Sequence, residues 1–187
     1  MTYPIYVYGT PVLKKVAEDI DKDYPELDKF IADMFDTMYK ADGLGLAAPQ
    51  VGKSIRLIVI DGEPLAKDHP EMKDFKKVFI NAHVVEKGGE KVPMGEGCLS
   101  LPGLHEEVER ESKVKMEYYD ENWKFHTEIF SGYKARVVLH EYDHLDGILF
   151  TDRLSPLRRR LIKGKLTDIT KGRFDAEYRT ILPVSKR

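Results

Sequence analysis

His140-Glu141-Tyr142-Asp143-His144 constrains this chain more than any other stretch. Val137, Val138 and Leu139 lead into it. The pattern therefore predicts a helix from about Tyr133 to Leu145 whose apolar face lies in a core. Residues i and i+4 of a helix stack on one face. Two imidazoles so placed can hold one metal ion, and a glutamate beside the first can reach a water in an open coordination position. The plainer alternative is a pair of helical histidines that bind nothing. A buried helix carrying polar groups at this spacing needs partners for them, and a metal is one such partner.

Two histidines do not complete a site. A metzincin-type protease would carry a third His where Phe150 stands, and no His follows His144. A thermolysin-type protease takes a downstream Glu, but the first is Glu177, beyond a basic segment. The third ligand is expected upstream, and the chain has one thiol, Cys98, within Gly95-Glu96-Gly97-Cys98-Leu99-Ser100-Leu101-Pro102. A single Cys rules out a disulfide framework and an all-thiolate zinc site. A lone Cys is commonly a small buried hydrophobe, and it can be a nucleophile with a His partner. Beside a two-His helix it reads as a ligand. A thiolate, two imidazoles and one open position suit Zn²⁺, Fe²⁺, Co²⁺ or Ni²⁺.

A third stretch, Gly43-Leu44-Gly45-Leu46-Ala47-Ala48-Pro49-Gln50, has paired glycines but lacks the Lys-Ser/Thr of a phosphate loop and follows a helix rather than a strand. It reads as a close-approach loop whose small residues let a substrate backbone lie alongside. The Gln50 amide can donate to a developing oxyanion; the alternative is a compact turn with Gln50 at the surface.

Around these stretches the chain is ordinary. Its 187 residues are 42% apolar and 33% charged, enough for one globular domain with a real core. No apolar run is long enough to span a bilayer, and Met1 to Gly9 does not resemble a secretory signal. A reduced, cytoplasmic setting is expected. Thr10-Pro11 opens a short helix with Thr10 as cap, and Glu26 to Tyr39 is a clear helix with Leu27, Phe30, Ile31, Met34, Phe35 and Met38 on one face. Strands are expected at Arg56 to Ile60 and Lys77 to Val85, with a polar surface loop over 62–76 between them. Val108 to Tyr119 and Lys124 to Phe130 form a hairpin about Asp120-Glu121-Asn122, with Val114, Met116 and Tyr118 inward. Ser155-Pro156 caps a last helix toward Lys165. Tyr178 to Leu182 is compatible with helix or strand. The expected class is α+β, with antiparallel sheets packed around the central metal-binding helix.

Charge is unevenly spread. Residues 153–187 carry a net +8, and the first 152 a net −10. The chain's balance of −2 excludes DNA as an evident global partner. A basic segment on an acidic body fits a polyanionic docking partner, and equally a solvated helix surface.

Taken together, the stretches at 43–50, 96–100 and 140–144 closely resemble, in order and spacing, the three signature motifs of the peptide deformylase family. The resemblance covers roughly residues 1–155. It implies one catalytic domain over 1–187, with 153–187 a variable basic C-terminal segment, that hydrolyses the N-formyl group from N-formylmethionine of nascent polypeptides. It implies that Cys98, His140 and His144 bind one divalent metal, usually Fe²⁺, with Zn²⁺, Ni²⁺ or Co²⁺ as substitutes. Glu141 is then the general base, and Gln50 with the Leu99 N–H the oxyanion donors. Gly45 pairs with the substrate main chain, and Leu44, Gly97 and Val137 are expected to wall the methionine pocket. Two departures, Leu139 where many members carry Gln and His105 where many carry Arg, bear on subtype and side-chain preference. Competing readings are an HExxH metallopeptidase and a non-enzymatic, metal-stabilised ribosome-binding domain; a structural site would need neither Glu141 nor Gln50. Arg158, Arg159, Arg160, Lys163 and Lys165 are the expected contacts to ribosomal RNA.

Overall fold

The run Leu57-Ile58-Val59-Ile60 is apolar at every position because both of its faces are covered. In the computed structural model, which describes residues 1–184, it lies in strand β3 (Leu57–Asp61). Ile58 and Ile60 point into one cluster with Phe79, Val138 and Leu145, while Leu57 and Val59 point into another with Phe30, Met34 and Met38. A strand covered on both sides loses the usual alternation.

The second cluster is the work of helix α1 (Leu27–Lys40), which follows Glu26 in the left-handed region at φ 53°. Leu27, Phe30, Ile31, Met34 and Met38 are buried on it as their helical spacing requires; Phe35 is only partly buried. The first cluster is closed by helix α2 (Gly132–Leu145), which packs against β2 (Gly45–Ala47), β3, β5 (Leu101–Tyr119) and β6 (Phe125–Ser131). Gly132 has φ +60°, a conformation that side chains rarely adopt, so β6 passes into α2 without a loop.

The main sheet is antiparallel and runs β2-β3-β4-β5-β6, with β4 spanning Lys76–Cys98. Strands β4 and β5 form one long hairpin. Its pairing runs from Ile80↔Tyr119 to Cys98↔Leu101, so Leu99 and Ser100 are a two-residue turn. Several register shifts interrupt it, among them one between Gly88 and Lys91. A separate parallel pair joins β1 (Ile5–Tyr6) to β7 (Thr180–Ile181). The sheet system is therefore not wholly antiparallel.

Several local expectations are corrected. Thr10 does not cap a helix with its side chain; its hydroxyl donates to the Val7 carbonyl, and Pro11–Lys14 is a 3-10 turn. Residues 62–76 are not simply a surface loop. They contain two 3-10 turns, and Met72 in the second of them is fully buried against α2's cluster. The helix after Ser155 breaks at Ile162 into α3 (Pro156–Leu161) and α4 (Lys163–Thr170), because Ile162 is drawn into the core. Ser155 does accept the Arg158 N–H at 3.2 Å. The ambiguous Tyr178–Leu182 stretch contains β7. Lys186 and Arg187 of the basic segment lie outside the described residues.

Phe79 is the joint of this arrangement, fully buried on β4 and in contact range of Tyr118 and Phe130. Phe79→Ala is expected to cost about 3–5 kcal/mol by the combined transfer and cavity terms. Urea unfolding at fixed metal content measures it, and a loss below about 1 kcal/mol would show that the cluster is not the stabilising centre.

Candidate active site

Three elements bring the signature residues to one place. Helix α2 supplies His140, Glu141 and His144 on one face, with the two imidazole centroids 5.4 Å apart. The last residue of β4 supplies Cys98, and the turn beyond it supplies Leu99. The short edge strand β2 and the 3-10 turn after it (Ala48–Val51) supply Gly45 and Gln50. Leu44, Gly45, Gln50, Gly97, Cys98 and Leu99 line a cavity of about 390 Å³. Val137, His140 and Glu141 line it too. His144 lies just behind them, buried.

Donor atoms of Cys98, His140 and His144 all lie within 4.8 Å of one another. Cys98 Sγ and His144 Nε2 are 3.3 Å apart. A sulfur and a nitrogen sharing one ion at bond lengths of about 2.3 and 2.0 Å would be separated by roughly 3.5 Å. His140 Nδ1 meets Glu96 Oε2 at 2.8 Å, which leaves Nε2 as its free nitrogen. The donor set thus fits a single borderline-soft divalent cation.

Behind the histidines stands a charged network that the motifs themselves do not announce. Burial alone would push the Glu96 carboxyl up, but Arg110 and His140 more than reverse this and hold it well below the usual carboxylate range. Arg110 reaches Glu96 with Nε and Nη2, and Asp143 with Nη1 at 2.7 Å. Arg136 donates to Glu96 at 2.8 Å and to the Val108 carbonyl. Arg153 clasps Asp143 from the other side. One signal was available. Arg110 shares strand parity with inward-facing Val108 and Val114, and Arg136 sits one turn before His140. A charge on a core face demands a counter-charge.

The wall opposite the histidines is made by Gln50, which is buried rather than at the surface. Its Oε1 accepts the Ala47 N–H at 2.9 Å, which fixes the amide's orientation. Its Nε2 then points to Ser100 Oγ (3.2 Å) and Cys98 Sγ (3.5 Å). Glu141 is buried, its Oε2 has no protein partner, and burial raises its pKa to about 7. Its carboxylate lies against Gly45. A Cβ on Gly45 would stand 2.6 Å from Glu141 Oε1. Tyr178, to which no sequence motif points, also lines the cavity. Its O–H donates to the Leu99 carbonyl at 2.8 Å, and burial pushes its pKa up to about 12. No periodicity in so short a terminal stretch could have flagged it.

Residues 2–160 match the family model described as polypeptide deformylase. The chain belongs to the polypeptide deformylase family. Over its whole length it is 52% identical to the peptide deformylase of Christiangramia forsetii, covering 99% of that protein. It is 49% identical to that of Cytophaga hutchinsonii, each chain covered completely. Among solved structures, the Thermotoga maritima peptide deformylase superposes with a TM-score of 0.74 at 40% identity, over 83% of this chain and 99% of that one. The Synechococcus elongatus enzyme in complex with actinonin gives 0.77 at 36% identity, over 96% and 92%. As a member of the family the chain is a hydrolase that removes formyl groups from N-formylmethionyl peptides, and the family is metal-dependent.

Gly45 therefore matters for space, not for backbone freedom. Gly45→Ala is expected to push the Glu141 carboxylate aside and lower kcat/KM about 10²-fold, since displacements near 1 Å at a reacting group have that scale. Steady-state kinetics beside thermal unfolding test it. Equal activity would mean that Glu141 has room to retreat without consequence.

Proposed function

We propose that this chain deformylates nascent peptides in the cytoplasm through Cys98, His140 and His144 as metal ligands, with Glu141, Gln50 and the Leu99 N–H acting on the substrate. The observation that carries the reading is the convergence of one thiol and two imidazoles within 4.8 Å, beside a buried carboxylate without a protein partner. The metal-binding helix of this reading is α2, and the whole chain acts as one catalytic unit with 153–187 its variable basic segment. Fe²⁺ is the proposed native ion, and Zn²⁺, Ni²⁺ or Co²⁺ the substitutes. When bound, such a cation supplies Lewis acidity that polarises the formyl carbonyl and makes a water acidic near neutral pH.

The remaining steps belong to side chains. Glu141 takes a proton from the attacking water as the new C–O bond forms at the formyl carbon. The Gln50 amide and the Leu99 N–H donate to the oxyanion that develops there. The C–N bond then breaks, Glu141 returns the proton to the leaving amine, and formate departs. Substrate main chain adds to the free edge of β2 at Gly45, by the logic of strand addition. Leu44, Gly97 and Val137 form the methionine pocket wall, with His105 Nε2 packed so close to Gly97 that a Cβ there would lie 2.7 Å away. A metallopeptidase reading lacks a downstream ligand. A purely structural metal would not call for a buried, unpartnered Glu141.

Glu141→Ala should retain metal and lose formate release by at least 10²-fold, whereas His144→Ala should lose both. Elemental analysis of anaerobically purified proteins, with iron predominating in the wild type, is read beside formate release from a formyl-Met peptide. Wild-type turnover in Glu141→Ala would remove it as the base.

The basic segment is proposed to meet the ribosome through Arg159, Arg160, Lys163 and Lys165, all exposed on α3 and α4. Arg158 is engaged elsewhere, paired with Glu106 on β5. Neutralising these four cations should weaken ribosome co-sedimentation and flatten its salt dependence by close to one unit of slope for each phosphate that is no longer neutralised. Binding that ignores both charge and salt would discard this docking role.

A further inference from the structure

The turn that carries Leu99 is held from outside the hairpin at both of its carbonyls. Ser100 O accepts the N–H of Tyr8, just after β1, at 2.8 Å. Leu99 O accepts the O–H of Tyr178, two residues before β7, at 2.8 Å. The parallel β1–β7 pair, Ile5↔Thr180 and Tyr6↔Ile181, fixes the spacing between these two anchors. Both ends of the described chain thus converge on one two-residue turn. That turn joins Cys98 to its ladder partner Leu101, and both Cys98 and Leu99 line the cavity.

We propose that Tyr178 is a positioning residue for deformylation: its O–H, delivered by the C-terminal segment, locks the Leu99–Ser100 turn so that the Leu99 N–H faces the developing oxyanion. The inference rests on the role assigned above to Leu99. Residue 178 lies beyond the stretch matched by the family model, which ends at 160, and none of the three signature stretches contains it. A two-residue turn has few internal restraints. Without a partner on the Leu99 carbonyl, the Tyr8 and Gln50 bonds still hold Ser100, but among the described residues no hydrogen bond from outside the hairpin holds Leu99 itself. Leu99 can then tilt as a whole, and because its N–H lies on the adjoining Cys98–Leu99 peptide the tilt re-aims that donor while the rest of the binding pocket stays in place, so the effect belongs in kcat rather than KM.

The test compares Tyr178→Phe with Tyr39→Phe in the full-length, metal-loaded protein. Tyr39 is the control because its O–H also donates to one acceptor, Asp61, at 2.6 Å, and neither residue lines the cavity. In Tyr178→Phe, kcat on a formyl-Met peptide is expected to fall about fivefold to tenfold with KM within twofold. The Leu99 carbonyl-carbon and Ser100 amide-nitrogen resonances should shift, because they report the lost bond directly. Tyr39→Phe should change neither. Unchanged kcat, a loss expressed in KM alone, or a slower enzyme whose Leu99 and Ser100 resonances stay in place would each overturn the proposal. Absence of formate release from the wild type would instead overturn the functional reading itself. If Tyr178→Phe proves poorly folded, a single fluorinated tyrosine at position 178, which keeps the ring and the O–H and alters only the donor's strength, should shift both resonances with kcat changed less than twofold; resonances that stay in place count against the proposal.

Discussion

One buried carboxylate organises this molecule. Glu96 is about 6% exposed, and removing a carboxylate from water costs several kcal/mol unless its charge is answered. Here it is answered three times, by Arg110 on β5 and by Arg136 and His140 on α2. Because Glu96 itself is on β4, these bonds tie the long hairpin to the helix. They also settle which nitrogen of His140 remains for a cation, so the structural anchor and the ligand tautomer are one choice. Asp143 repeats the device one turn along α2, sharing Arg110 and adding Arg153.

That anchoring explains why the reacting groups can sit on the thin parts of the fold. Cys98 ends a strand, Leu99 lies in a turn, and Gly45 opens a three-residue edge strand. None of these would hold a position by its own secondary structure. Each is adjacent to something rigid: Cys98 is two residues from Glu96, Gly45 lies under Glu141, and Gln50 is oriented by the Ala47 N–H. Precision comes from the helix and the ion network, and the loops borrow it.

How much of this could be read from residues alone depends on the range of the interaction involved. Helices α1 and α2 were legible because their apolar spacing is local and periodic. Strand β3 was legible as a continuous apolar run. The full length of β4 was not, since Gly88, Gly89, Pro93, Gly95 and Gly97 interrupt any alternation and its pairing shifts register repeatedly. The meeting of Cys98 with His140 and His144 is legible only by elimination and by motif resemblance; nothing in local propensity requires it. Tyr178 was the least legible. Its placement depends on a pair of two-residue strands almost an entire chain length apart, and such pairing leaves no local pattern.

The site's least comfortable atoms bear on the same point. Glu141 Oε2 and His144 Nδ1 are buried polar atoms without protein partners among the described residues. Each unpaired buried group costs on the order of 1–3 kcal/mol. An apolar side chain at either position would avoid that penalty. Polar atoms that are mismatched to their surroundings as packing are expected where a site is arranged for chemistry rather than for stability. Gly45 makes the case most directly. Any side chain there would occupy the space that the Glu141 carboxylate now takes.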